Sequence, residues 1–543
     1  MLFRACLLFI FFSWIFGGFC HCLAFLLIVS WSRRYGRPPT ARVISGGTVE
    51  PLWLGAMALR HHRPRLPNIC SNDIMTRPAL ACAMAIDLTP FRAPRPDSYL
   101  PIPEPIRRRR ARGLSLPPGP RSMTLTLSFQ RDTPGFLRKT RDTYGTLTSF
   151  FLGRELFIGA FDPEMVHEIS VSKQRSFIKG VGFERMRKVL GTGLLTNEEP
   201  IHLRHRRLMQ APFHINRIST YARTMLDLTD KHLSRWQTGN TVEVGPEMMS
   251  LTFNIVADIL FGTDIKNDTK EVQESMHIAI DRIERTMLPG LQVTDRIPIS
   301  YFKKFEEAAN RLHKISTKIV EERINKGIVR DDLLGLLLDA RTSDGEQLSQ
   351  AEISDETLTL ILSGHETTAN VLTWTFAYLD QRPDLWRSLG QEAVEILRHS
   401  DSPEFARILF AAPICSAVFN EVLRLAPPVW VAPRRAVENV TIGGYEIPKG
   451  AHVLISQYVT HRDARYFPNP DEFKPERWHA DLEKSLPDGA YFPFGAGTRK
   501  CLGDQFALLE GRIIILEVAR RFRLKLIEKF PEAQPRATYR PKV

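Results

Sequence analysis

Cys501 is the residue of this 543-residue chain whose neighbours most clearly prepare it for chemistry. It lies in Phe494-Gly-Ala-Gly-Thr-Arg-Lys-Cys-Leu-Gly503, with Arg499 two residues before it and Phe494 seven before it. A helical pattern, Leu502 to Phe522, follows at once. A thiolate ligand has to be kept deprotonated and shielded. The first N–H groups of a following helix, and the positive end of its dipole, favour negative charge on sulfur. Gly497 and Gly503 let the backbone come close to the sulfur and to a flat group beside it. Such a loop suits a sulfur ligand to heme iron better than other cysteine chemistry. A bare Cys-x-Gly would instead read as a buried, inert cysteine.

Three further groups of residues have chemical spacing. Ser363-Gly-His-Glu-Thr-Thr368 sits inside a helical pattern from about Ser354 to Gln381. Ser349 with Glu352, then Asp355 and Glu356, supply start signals, and Arg382-Pro383 ends the pattern. Some 27 helical residues would span about 40 Å. Its Glu366-Thr367 pair sets an acid beside an alcohol. Taken alone, the threonine would simply bond back to the preceding turn. Glu421-Val-Leu-Arg424 places opposite charges at i and i+3, which on a surface is worth a few tenths of a kcal/mol, and Pro475-Glu-Arg-Trp478 follows it. The last group is His202-Leu-Arg-His-Arg206, basic and helical in spacing.

The decapeptide fills every fixed position of Phe-x-x-Gly-x-Arg-x-Cys-x-Gly and so resembles the heme-binding loop of the cytochrome P450 family. The resemblance covers about residues 116–543. It implies a mainly α fold with small β-sheets, holding heme b between a long distal helix and a proximal cysteine loop. Cys501 would ligate the iron as a thiolate, which donates electron density that favours O–O cleavage. Arg499 would pair with a heme propionate, Phe494 would cover the cysteine, and Gly503 would admit the porphyrin. On the distal helix, Gly364 would let heme and oxygen approach. Thr367 would hydrogen-bond dioxygen and hold a water, and Glu366 would help supply protons. Glu421 and Arg424 would join Arg477 in a buried network behind the loop, structural rather than chemical. Losing one member should cost roughly 3–5 kcal/mol. His202 and Arg206 occupy the positions of the family's Trp-x-x-x-Arg propionate pair, with His202 keeping a donor where the family has Trp. Arg434 matches a propionate-binding strand arginine, though Arg435 beside it leaves the register open by one.

The rest of the chain divides at about residue 115. Residues 1–115 hold sixteen Arg, no Lys and five acidic residues, so most of the formal net charge of +13 is N-terminal. The remainder is close to neutral and lacks a basic stripe with interleaved aromatics, which argues against nucleic-acid binding. Five of the seven cysteines also lie before residue 115, leaving Cys415 and Cys501 after it. A body with two cysteines has no disulfide framework and fits a reducing compartment. The 25 residues Ala5–Val29 carry no formal charge and are long enough to cross a bilayer, and Arg33, Arg34 and Arg37 follow. Residues 1–30 are therefore expected to be a single-pass membrane anchor, with the catalytic domain in the cytosol. Residues 31–115 are Arg- and Pro-rich without sustained periodicity and read as a low-order segment. Family members place a basic, proline-rich hinge just after the anchor. Here about 85 residues intervene. If that extension is foreign to the fold, the domain is soluble and cytoplasmic. Ser456-Gln-Tyr-Val-Thr-His461 resembles the soluble bacterial branch. From residue 116 to 543 the chain reads as one catalytic domain, beginning with strand-like runs at Leu147–Phe151 and Glu155–Ile158.

The resemblance implies a monooxygenase that consumes O2, two electrons and two protons. Only 42 residues follow Cys501, without a flavin or nicotinamide fingerprint. Electrons are then expected from an NADPH-dependent flavoprotein reductase or a ferredoxin system. Apolar segments around Phe177–Met186 and Pro428–Ala432 suggest a lipophilic substrate such as a terpenoid or fatty acid, although core packing gives the same composition. Two alternatives remain: a heme-thiolate isomerase, dehydratase or peroxygenase needing no external electrons, and a non-catalytic heme-thiolate sensor. Glu366-Thr367 counts against both.

Overall fold

The computed structural model describes residues 113–262, 269–287 and 300–542, apart from 123, 328–329, 331, 343–344, 479–481 and 537. The expected anchor and nearly all of the Arg/Pro-rich segment lie outside the described residues.

Two apolar runs near the start of the described chain form a hairpin. β1 (Leu147–Leu152) and β2 (Glu155–Ala160) pair antiparallel around Gly153, whose φ of +59° suits a tight turn. They extend the two expected runs by one and two residues. Both are covered on both faces, which explains why neither alternates polar with apolar. β3 (Phe177–Ile178) and β4 (Ala432–Ala436) join the same sheet. β5 (Val440–Ile442) and β6 (Tyr445–Ile447) make a separate hairpin, and β7 (His452–Ile455) returns to the first sheet. Its order is β1-β2-β7-β4-β3, and among the described pairings only β2 with β7 is parallel. A last hairpin, β8 (Ala533–Pro535) with β9 (Tyr539–Pro541), ends the described chain.

Helices make up the bulk of the molecule. Those that position the site are α1 (Val181–Leu190), α2 (Ile201–Met209), α3 (Val244–Phe261), α4 (Thr269–Met287), α5 (Ser300–Asn325), α6 (Gln350–Asp380), α7 (Pro383–Leu397), α8 (Pro413–Leu425) and α9 (Asp504–Arg521). The long helix α6 has 31 residues, a length of about 46 Å. It starts four residues before the expected Ser354. The apolar period begins only at Ile353, whereas the true start is a polar capping box: Glu352 N–H donates to Ser349 Oγ, and Ser349 N–H to Glu352 Oε2. Arg382-Pro383 ends the helix as expected, and Pro383 opens α7. α6 runs through the main hydrophobic core, packed against α3, α5 and α9. α3 is apolar and long enough to cross a membrane by length and composition, but half of it is buried against this core.

Candidate active site

The cysteine loop is closed by its own backbone and tied to the Gln174 side chain. Cys501 N–H donates to Phe494 O at 2.8 Å, and Thr498 N–H and Oγ1 donate to Gln174 Oε1 at 3.0 and 2.7 Å. Gly497 sits at φ +68°, and a Cβ there would stand 1.8 Å from Ser170 O. Glycine is thus demanded by how the loop seats on residues 170–174, a reason distinct from approach to the sulfur. At Gly503, by contrast, a Cβ would meet only Phe213 Cε1 at 3.8 Å, an ordinary contact. No described atom of the protein requires glycine at that position. Phe494 is half-buried and packs on the main core.

The Cys501 residue as a whole is accessible, whereas Cys415 is buried. Protein around the sulfur nonetheless desolvates it and pushes the thiol up to about 11, against the Gly503 N–H and the charges of Arg206 and Lys500. A cation bound to the sulfur would supply the stabilisation that the loop alone does not. α9 begins three residues later, as the resemblance requires.

Beside the loop lies a buried basic cluster built from four parts of the sequence. Arg499 Nη2 donates to Glu198 Oε2 at 2.8 Å, and Lys179 N–H donates to Glu198 Oε1 at 2.7 Å. Lys179 Nζ reaches the carbonyls of Leu194, Leu195 and Asn197 at 2.7–3.0 Å, and burial pushes it down to about 7. His202 Nδ1 lies 3.0 Å from Glu199 Oε1, and burial holds its pKa below the usual histidine range. Arg434 is buried, with its one described hydrogen bond to Pro433 O at 2.9 Å. Burial and the nearby Arg499 push its guanidinium down to about 9. A buried guanidinium next to a second one, with Glu198 acting on it but no described carboxylate in an ion pair with it, is costly unless an anion completes it. The two propionates of heme have that chemistry, so this donor set fits the group. Arg435 points to the opposite face of β4, with Nη2 3.2 Å from His452 Nε2, so Arg434 alone of the two belongs to the cluster. Arg206 departs from expectation. It donates to Lys500 O at 2.7 Å, and its charged neighbours are Cys501 and Asp504 rather than the cluster around His202. Lys179 and Glu198 were missed by the sequence reading. A lysine inside the apolar run Phe177–Gly182 was the available signal; Glu198 offered none.

On α6 almost every side chain in the central turns is buried, but Ser363, Gly364 and Thr367 are partly accessible and share one face. Thr367 Oγ1 donates to Ser363 O at 2.9 Å, the back-bond that an ordinary helical threonine makes. Its proton is therefore engaged while its oxygen can still accept. A Cβ on Gly364 would lie 3.1 Å from Val256 Cγ2 of α3, so this glycine lets two helices approach as well as leaving the strip open. Glu366 diverges from Thr367. It is buried, turned toward the C-terminal hairpin, and receives Thr538 Oγ1 at 2.7 Å. Burial raises its carboxyl above the usual range, against that hydrogen bond.

Behind the loop, Glu421 is no surface residue. Arg424 clamps both of its oxygens at 2.8 Å, and Arg477 Nε donates at 3.0 Å. Trp478 Nε1 and Lys474 N–H each add a bond at 2.9 Å. Arg424 also donates to the carbonyls of His461, Pro470 and Glu472. The trio thus ties α8 to the segment leading into the cysteine loop. A second buried ionic group ties α2 to α6. His205 places Nδ1 2.6 Å from Glu356 Oε1 and Nε2 3.1 Å from Glu352 Oε1, so both ring nitrogens face carboxylates.

Comparison with known proteins agrees with this geometry. The family model described as Cytochrome P450 matches residues 116–539. Cyclooctatin synthase of Streptomyces melanosporofaciens is 33% identical over 392 residues, covering 71% of this chain and 84% of the relative. Cyclooctat-9-en-7-ol 5-monooxygenase of the same organism is 34% identical, covering 70% and 83%. Pentalenene oxygenase of Streptomyces avermitilis is 28% identical, covering 73% and 87%. Among solved structures, the heme domain of cytochrome P450DA has a TM-score of 0.70 at 24% identity, covering 79% of this chain and 96% of its own. A Thermus thermophilus structure, CYP175A1, has a TM-score of 0.62 at 26% identity, covering 78% and 97%.

Proposed function

The chain belongs to the cytochrome P450 family and is a monooxygenase of that family, and from this premise we propose that it inserts one oxygen atom of O2 into a lipophilic terpenoid. The likeness to enzymes named for pentalenene and for cyclooctat-9-en-7-ol, over about 70% of the chain, carries the substrate class. The accessible strip of α6 supports it, since Ser363, Gly364 and Thr367 are small and uncharged, and the Pro428–Ala432 turn is wholly apolar. Neither offers an ion that would anchor an acidic substrate.

Cys501 would hold the heme iron, with Arg434, Arg499 and His202 toward the propionates. Heme bound in this way supplies the activation of O2, helped by electron donation from the thiolate. The chain's own residues do the rest. The Thr367 oxygen accepts a hydrogen bond and so can hold a water at the strip. Glu366, its carboxyl raised by burial, keeps a proton at a higher pH than an exposed carboxylate would. The Glu421 network keeps the loop rigid while the sulfur is engaged. Electrons come from a separate NADPH-dependent flavoprotein reductase or ferredoxin system.

The test is a substrate screen on the heme-loaded protein. Cyclic terpene hydrocarbons and their alcohols should shift the heme spin state and be hydroxylated only when a reductase or ferredoxin system is supplied. Tighter binding of long-chain fatty acids would overturn the substrate class, and product formed without reductant would point to an isomerase or peroxygenase. Thr367→Ala should lower product formed per electron consumed; unchanged coupling removes its role.

A further inference from the structure

Glu366 receives its hydrogen bond from the far end of the chain. Thr538 Oγ1 donates to Glu366 Oε1 at 2.7 Å, and Asn370 Nδ2, one turn further along α6, donates to Thr538 Oγ1 at 3.1 Å. A hydroxyl has one proton and two lone pairs. With Asn370 donating into a lone pair, the proton is left to point at the carboxyl. All three side chains are buried, so their mutual geometry is not averaged by water.

The backbone around Thr538 is pinned on both sides. Trp430 Nε1 donates to Arg536 O at 2.8 Å, Trp374 Nε1 to Tyr539 O at 3.2 Å, and Tyr539 N–H to Pro428 O at 2.9 Å. α6 and the turn after α8 thereby both anchor the backbone that carries this hydroxyl.

We propose that Thr538 is a positioning residue for oxygen insertion: it holds the Glu366 carboxyl, which leaves α6 on a different face from Thr367, in a single buried orientation as the store of the proton used there. The proposal rests on the reading of Glu366 as the proton source. In the delivery step the Glu366 O–H bond breaks as its proton passes to a water held at Thr367, and that water gives up one of its own protons to the reduced oxygen. The carboxylate left behind is stabilised by the Thr538 hydroxyl, and a proton from solvent restores the acid. The charged and titratable groups facing Glu366 from neighbouring elements are Arg540 on β9 and His277 on α4, and His277 is exposed, giving that proton an entry side. Removing the hydroxyl takes away one of the carboxylate's two side-chain donors, the other being Asn370, which favours the neutral form.

The experiment compares Thr538→Val, which keeps the shape but not the hydroxyl, with Thr538→Ser, which keeps the hydroxyl. Asn370→Ala removes the orienting donor together with that residue's own hydrogen bond to Glu366, and Glu366→Gln removes the acid. Product per electron and the solvent isotope effect are read on the heme-loaded enzyme. The infrared carbonyl band of the protonated carboxyl is read on the resting protein across pH. Thr538→Val should lower coupling at least threefold, raise the isotope effect and move the carboxyl's titration to higher pH. Thr538→Ser should restore all three, and Asn370→Ala should fall between. If Glu366→Gln uncouples but neither Thr538→Val nor Asn370→Ala does, the positioning role is wrong while the acid stands. If Glu366→Gln itself stays coupled, both fall together.

Discussion

Replacing Glu421 by Gln changes one oxygen to an NH2 group and removes a single negative charge. Glu421 Oε1 accepts from Arg424 Nη2, Lys474 N and Arg477 Nε, and Oε2 accepts from Arg424 Nε and Trp478 Nε1. Whichever oxygen becomes the amide nitrogen, at least two donors lose their acceptor, each costing about 1–3 kcal/mol when buried. The guanidinium groups of Arg424 and Arg477 also lose their buried counter-charge, and breaking such a pair costs roughly 3–5 kcal/mol. Both routes agree on about 4 kcal/mol, a large part of a typical total of about 5–15 kcal/mol. With an unfolding entropy of about 2.1 cal/mol/K per residue over the roughly 430 residues from 113 to 542, Tm should fall by about 4–5 °C. Thermal unfolding and the rate of heme loss to an acceptor protein check this together, because the network holds the segment feeding the cysteine loop. Arg223→Ala, which breaks an exposed i,i+4 pair with Asp227, serves as the control and should leave both unchanged. A loss below about 1 kcal/mol for Glu421→Gln, with heme retained normally, would refute the reasoning.

Two other perturbations separate the supporting parts of the site. His205 is held as an imidazolium between Glu352 and Glu356; against the cost of burial, these carboxylates raise it from 6.5 to about 9. Its stabilising contribution is complete below pH 6.5, is lost as pH rises through 9, and amounts to at most roughly 3 kcal/mol. His205→Gln should therefore unfold more readily than wild type at pH 6 and nearly equal it at pH 10; a constant gap across that range argues against the ion cluster. Gly497→Ala should abolish stable heme incorporation, because its φ of +68° and the 1.8 Å approach to Ser170 O leave no room for a methyl group. The strain alone should cost about 1–3 kcal/mol. A fully loaded Gly497→Ala protein would show that the loop seats differently.

The cysteine loop was legible in the sequence because its chemistry restricts residue type at each fixed position over a short span. Its physical reasons were less so. Gly497 is required by Ser170, more than 300 residues earlier, a contact that no local pattern records. The long helix was legible in its apolar core and at its proline end. Its start signals, Ser349 with Glu352, were legible too, and only the bound near Ser354 fell late, because it followed the hydrophobic period and not the polar capping box. Alternation along β4 settles what the text of the sequence left open, sending Arg434 inward and Arg435 to His452. Arg206 reads like a partner of His202 from its i+4 spacing, yet its long side chain reaches the Lys500 carbonyl instead. Lys179, Glu198 and Thr538 act through long-range polar contacts. Their residue types are common on any surface, so type and spacing alone could not single them out.

The central claim is that Cys501 is the thiolate ligand of a heme in this loop. It is tested most directly by the absorption spectrum of the reduced, carbon-monoxide-bound protein, recorded for wild type and for Cys501→His. Wild type should show the red-shifted Soret band of a thiolate-ligated heme, and the Cys501→His protein should lose that shift while still folding. A folded, heme-loaded wild-type protein without the shifted band, or a shifted band that survives in Cys501→His, would contradict the account.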